Sequence, residues 1–191
     1  MTDFNIVVCA SCGGGNFYEL AQNSKNSDYK ISLLICDRDC GAVEKARLCG
    51  IPCKIIDRKI YKNNFFEELD SNIPSNTDLI VLAGFMPILS AEFCKKWHKK
   101  IINTHPSLLP KYGGIGMYGV KVQEAVMKNK EKYTGCTVHY VDKSVDGGEI
   151  IFQKKILVNY DETAWQLGGR VFKEEAPLLI KAINKIKEER C

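Results

Sequence analysis

The 191-residue sequence lacks any apolar run approaching the length of a membrane span. Its first residues, Met1-Thr2-Asp3-Phe4, lack the basic and apolar regions of a secretory signal. The expectation is a cytoplasmic protein without membrane partners. Charge of one sign is also lacking. Lys and Arg number 27 against 23 Asp and Glu, a net charge of +4. The basic residues concentrate only at the end (Lys181, Lys185, Lys187, Arg190), mixed with Glu188 and Glu189. That is the pattern of a solvated helix face, so no nucleic-acid partner is expected. There is no repeat, low-complexity tract or linker. With 45% hydrophobic and 26% charged residues, wholesale disorder and fibrous architectures are excluded. The length fits one domain, 1–191.

Cysteine is plentiful, with nine residues, but without a metal-binding or disulfide pattern. The odd count and the missing leader argue against a disulfide framework. Cys9-x-x-Cys12 resembles half a zinc site or a redox pair, yet no second pair has matching spacing, and His98, His105 and His139 form no ligand pattern with the thiols. The expectation is free cysteine acting as a small buried hydrophobe, and no metal.

What is present is alternation. Asn5–Ala10, Lys30–Cys36, Cys53–Ile56, Leu79–Ala83 and Ile101–His105 read as strands, the fourth as a continuous apolar run between Asp78 and Gly84. Helices are expected over Asn16–Gln22, Gly41–Cys49 with Gly50 as a left-handed cap, about Asn63–Ser71, and from Ser90 to about His98. Continuous rather than alternating hydrophobicity in such strands indicates an α/β fold, a Rossmann-like doubly wound, mostly parallel sheet. After residue 130 the texture changes. Thr137–Val141 alternates, Asp146-Gly-Gly148 makes a turn, and Ile150–Val158 follows as a strand, so one strand near the C-terminal part is expected to run antiparallel. A long helix is expected from Thr163, bent or divided at Gly168-Gly169 and Pro177.

In an open parallel sheet, ligands bind beyond the carboxyl ends of the strands, and three unusual segments fall there. Ser11-Cys-Gly-Gly-Gly-Asn16 joins the first strand to the first helix, where glycine amides and a helix N-terminus suit a phosphate. It is neither a G-x-G-x-x-G fingerprint nor a P-loop, and the alternative is a glycine turn with Asn16 as N-cap. Asn103 and His105, spaced i, i+2, share one face of a strand, and Pro106 holds His105 extended. An amide beside an imidazole could polarise a carbonyl, stabilise an oxyanion or move a proton, or the pair could simply shape a turn. Asp146 on its glycine turn could supply a carboxylate to His105, or serve only as a turn-forming residue.

Ala83-Gly-Phe-Met86 with Ile88-Leu-Ser90, Asn103-Thr-His-Pro-Ser-Leu-Leu-Pro110, Val138-His-Tyr-Val141 and Asp146-Gly-Gly148 together resemble the folate-dependent formyltransferases, nearly end to end. The resemblance implies transfer of a formyl group from 10-formyltetrahydrofolate to an amine, without metal or covalent enzyme intermediate. It is strongest to the branch of de novo purine biosynthesis whose acceptor is glycinamide ribonucleotide, 5-phosphoribosylglycinamide. It implies a phosphate-binding half, 1–100, and a catalytic and folate-binding half, 101–191. It assigns catalysis to Asn103, His105 and Asp146, the substrate phosphate to Gly14, Gly15 and Asn16, and the substrate amine to Glu175, whose alternative is a solvated helix residue. The pterin falls to Met86, Pro87, Ile88, Leu89 and Asn103, and Lys62 to the glutamate tail. Departures are Cys12 and Gly15 where Gly and Ser are usual, Pro87 for a frequent basic residue, and Gln123 where His is frequent. The glycine-rich Gly113–Gly119 reads as a mobile flap. The chain is expected to be a monomer or homodimer acting on small molecules alone. Competing readings are a formyltransferase acting on an amino sugar nucleotide and a non-catalytic nucleotide-binding module.

Overall fold

The structure, a computed structural model, describes residues 4–190. Met1–Asp3, on which the expectation about a secretory signal rests, and the ninth cysteine, Cys191, lie outside the described residues. Two compact units are present, Met1–Asn103 and Thr104–Cys191.

The first unit alternates strand and helix: β1 (Phe4–Ala10), α1 (Gly15–Ser24), β2 (Tyr29–Cys36), α2 (Gly41–Cys49), β3 (Cys53–Ile55), α3 (Arg58–Tyr61), α4 (Phe65–Ser71), β4 (Leu79–Leu82) and α5 (Ala91–Lys96), leading into β5 (Ile101–His105). β1 pairs in parallel with both β2 and β4, β2 with β3, and β4 with β5. The continuous apolar runs are buried on both faces, as parallel strands require: Ile6, Val7, Val8, Leu79, Ile80 and Val81 are all fully inaccessible.

Three helix expectations need correction here. α1 begins at Gly15 with Gly14 as N-cap in the left-handed region (φ 67°), so Asn16 is not the cap. The helix expected from Asn63 is preceded by α3, which starts where Asp57 accepts from the Lys59 amide at 2.7 Å, and by a 3-10 turn at Lys62–Asn64. α5 ends at Lys96, short of His98, while Ser90 caps it through the Phe93 amide at 3.1 Å.

The second unit contains α6 (Val120–Lys128), β6 (Tyr133–Tyr140), β7 (Ile150–Leu157) and α7 (Ala164–Arg190). β6 and β7 are antiparallel, with an irregularity in register between Val138 and His139. Strands follow the order β3-β2-β1-β4-β5-β6-β7, a mostly parallel α/β sheet with an antiparallel pair at its C-terminal end. α7 is a single helix through Gly168, Gly169 and Pro177, correcting the expected division. Pro177 is exposed, so the carbonyl it leaves without an amide faces solvent. Leu167, Val171, Leu179, Ala182 and Ile183 meanwhile keep one continuous buried face. No described helix is long and apolar enough to cross a membrane.

At Gly14 the fold leaves little room. A Cβ there would lie 2.6 Å from the backbone and the methyl of Ala42 on α2, besides requiring a positive φ. Gly14→Ala should therefore cost about 1–3 kcal/mol of stability, read as a lower urea midpoint. An unchanged midpoint would show that α1 and α2 are not packed this tightly.

Candidate active site

In the first unit, the loops after β1 and β4 are stitched together. Ser11 donates its amide to the Gly84 carbonyl at 3.1 Å, and its hydroxyl accepts from the Met86 amide at 2.8 Å. The Cys12 carbonyl accepts from Ala42 at the start of α2, at 3.1 Å. Beneath the loop, buried Asp37 pairs with Arg38 at 2.8 Å and Arg58 at 3.0 Å. Burial alone would raise its pKa, but hydrogen bonds from Arg38 and Ser11 and the charges of both arginines outweigh that and hold it below the usual carboxylate range. A fixed carboxylate thus anchors a glycine loop whose next element is a helix N-terminus. The first helical bond runs from Tyr18 to Gly14, so the amides of residues 15–17 precede it.

The sequence-predicted residues Gly14, Gly15 and Asn16 thus sit at one end of this unit with Met86–Leu89. Met86 and Ile88 are exposed, Leu89 is half-buried and Pro87 is buried. Lys62 is exposed in the 3-10 turn at φ 47°. Asn103, half-buried, is the unit's last residue.

In the second unit, β5 ends at His105, only 4% exposed. The structure brings Asp146 to it across a long stretch of sequence: Nδ1 lies 3.4 Å from Asp146 Oδ2. Its other nitrogen, Nε2, lies 2.8 Å from the Tyr112 carbonyl. A carbonyl only accepts, so Nε2 carries a hydrogen there, and a ring with hydrogens on both nitrogens satisfies both neighbours. Asp146 Oδ2 also accepts from the Gly114 amide at 2.9 Å. The aspartate itself has φ 57°, a left-handed conformation held by its turn. There, a Cβ at Gly148 would collide with the Tyr140 carbonyl.

Sequence reasoning missed His139. Its Nε2 lies 3.7 Å from Asp146 Oδ1, the oxygen not facing His105, and its Nδ1 donates to the Tyr140 carbonyl at 2.9 Å. The available signal was a histidine at an inward position of an alternating strand. Glu175 is also not where the solvated-helix alternative put it. It is 8% exposed, on the buried side of α7. Burial and the charges of Glu175 and Glu174 push the Cys136 thiol on β6 up to about 12.

Of the cysteines, Cys9, Cys36, Cys94 and Cys136 are buried as small hydrophobes, whereas Cys12 and Cys53 are exposed and Cys40 and Cys49 half-buried. All eight are free thiols. Among the described residues no group of three or more His, Cys, Asp or Glu could hold a metal ion.

Burial lowers the His139 pKa below its ordinary 6.5, opposed in part by the Tyr140 carbonyl and the Asp146 charge. As pH falls through that value, the unfolded chain binds a proton that the folded chain resists, so folding weakens toward acid pH. His139→Gln should shrink the difference in urea midpoint between about pH 7.5 and about pH 5.5. A difference equal to that of the parent would mean another group is responsible.

Residues 4–183 match the family described as formyl transferase. The chain is 33% identical over 97% of its length to the chloroplastic phosphoribosylglycinamide formyltransferase of Arabidopsis thaliana, spanning 66% of that protein. It is 34% identical over 92% of its length to the phosphoribosylglycinamide formyltransferase of Haemophilus influenzae, covering 85% of it. The crystal structure of the Anaplasma phagocytophilum enzyme of that name superposes with a TM-score of 0.88 at 33% identity, covering 98% of this chain and 89% of the other. The chain belongs to the formyl transferase family.

Proposed function

We propose that the protein transfers the formyl group of 10-formyltetrahydrofolate to the amine of 5-phosphoribosylglycinamide in purine biosynthesis. The observation that carries this reading is the His105–Asp146 pair, 3.4 Å apart at the end of β5. It is supported by the family and by relatives bearing that enzyme's name.

The reaction needs a group for charge that appears only in transit. The glycinamide nitrogen adds to the formyl carbon, and the carbonyl electrons move to oxygen. Collapse of the adduct breaks the bond to N10 of the folate, and the proton shed by the attacking amine ends on N10, relayed by water. The oxyanion is met by protonated His105 and the Asn103 amide, two residues apart on one strand face. Asp146 balances the imidazolium and fixes the ring plane. His139 differs, because burial disfavours its charged form and Nδ1 is committed to the Tyr140 carbonyl.

The Tyr112 carbonyl lies at Nε2, where the formyl oxygen would be bound. The flap 113–119 and Tyr112 therefore move aside before chemistry, and Nε2 exchanges one oxygen acceptor for another. Gly14, Gly15 and Asn16 receive the ribose phosphate at the start of α1, where Gly15 brings only its amide. Glu175 holds the substrate amine. The exposed Met86 and Ile88 with Pro87 and Leu89 grip the pterin, and Lys62 meets the glutamate tail.

Release of tetrahydrofolate, followed by absorbance with both substrates present, tests the reading directly. An amino sugar nucleotide as acceptor serves as the control for the competing substrate. His105→Asn and Asp146→Asn should lower kcat about 10²–10³-fold with far smaller changes in either KM. Loss confined to KM, with turnover retained, would remove His105 and Asp146 from the chemistry.

A further inference from the structure

Gln123 is fully buried, beside Val122 and Val126 on the inward side of α6. An apolar side chain would complete that packing equally well. A buried carboxamide is costly unless its polar atoms are hydrogen-bonded, and here both ends are. Nε2 donates to the Pro106 carbonyl at 2.7 Å, and Oε1 accepts from the Thr134 hydroxyl at 2.9 Å. Because the Pro106 carbonyl only accepts, the amide has one orientation.

Pro106 directly follows His105, and the turn it opens ends at Tyr112, whose carbonyl returns to His105 Nε2. The rest of that turn is held in the same manner. Thr137 donates its hydroxyl to the Ser107 carbonyl at 2.6 Å and accepts from the Leu109 amide at 3.1 Å. Gln153 Nε2 donates to the Leu109 carbonyl and to Thr137, each at 2.9 Å. These side chains from α6, β6 and β7 bond the backbone on both sides of the turn, and Gln123 holds the carbonyl nearest the imidazole.

We infer that Gln123, braced by Thr134, is a positioning residue for formyl transfer: it fixes the Pro106 carbonyl and so sets the direction in which the His105 ring points. The inference rests on the reading of His105 as the oxyanion partner. Misdirecting a reacting group by a fraction of its contact distance is enough to slow chemistry without weakening binding.

Three variants test it. Gln123→Met keeps the length of the side chain and removes both bonds, Thr134→Val removes only the brace, and Gln123→His restores one ring donor and one ring acceptor. Gln123→Met should lower kcat about 10- to 100-fold, leave both KM values within about threefold, and displace the midpoint of the kcat–pH profile. Thr134→Val should move the same quantities in the same direction by less, and Gln123→His should recover most of the turnover. A lowered melting temperature with kcat and the pH midpoint unchanged would reduce Gln123 to a packing role and overturn the inference. If Gln123→Met fails to fold, Thr134→Val decides by the same readouts. His105→Asn, assayed in parallel, separates the two levels. An active His105→Asn overturns the reading of the site and the positioning role with it. An inactive His105→Asn beside parent-like Gln123→Met and Thr134→Val overturns the positioning role alone.

Discussion

The second unit is organised around one carboxylate. Asp146 faces His105 with one oxygen and His139 with the other, and the Gly114 amide adds a hydrogen bond. A charge with only 12% of its side chain exposed is tolerated because each oxygen meets a partner. Its surroundings are asymmetric. Burial disfavours the charged form of His139. The two imidazoles around a single acid are therefore unequal in burial cost, although each has an acceptor at both nitrogens, and Asp146 lies nearer His105, at 3.4 Å against 3.7 Å. Much of the local backbone serves this arrangement: the left-handed aspartate, the close approach at Gly148, and the glycine pair whose second amide points at the carboxylate.

The first unit solves a different problem, presenting a glycine loop without letting it collapse. Here too a buried acid anchors the structure, but Asp37 is matched by two arginines and a serine hydroxyl, which together outweigh burial and lower its pKa. The same Ser11 accepts from Met86, so the loop proposed for phosphate and the segment proposed for the pterin share a hydrogen-bonded hinge point. The departures at Cys12 and Gly15 fall on this loop. Cys12 contributes its carbonyl to α2 and leaves its thiol exposed, and Gly15 opens α1 with only a backbone amide.

Between Pro106 and Tyr112 the chain has little regular structure, yet side chains hold its backbone almost residue by residue. Tyr112 is tied further, through its hydroxyl, to Glu131, which also pairs with Lys111 at 2.8 Å. Beyond it, Gly114, Gly116 and Gly119 all take positive φ. A firmly held turn thus gives way to a permissive loop immediately after the residue that covers His105, which is the place where a flap would hinge.

The sequence by itself determined the parallel strands, the fold class and the motif positions, whereas β6 begins at Tyr133 and not at the expected Thr137. Continuous apolar runs admit few alternatives once a parallel sheet buries both faces, so Ile101–His105 was legible to the residue and Leu79–Leu82 to within one. α6 was not legible: Gly119 caps it at φ 57° and ψ −139° with no side-chain bond, and it emerges from a glycine-rich stretch without a start signal. Nor was α7's continuity, which depends on Pro177 facing water while the opposite side stays packed. Asn103, His105 and Asp146 could be nominated from spacing and resemblance, but only tertiary structure decided that Asp146 meets His105, that His139 meets it too, and that Glu175 is buried. Hydrophobic periodicity is a local property of the chain, whereas a contact between distant side chains depends on register, turn geometry and packing that no single segment carries.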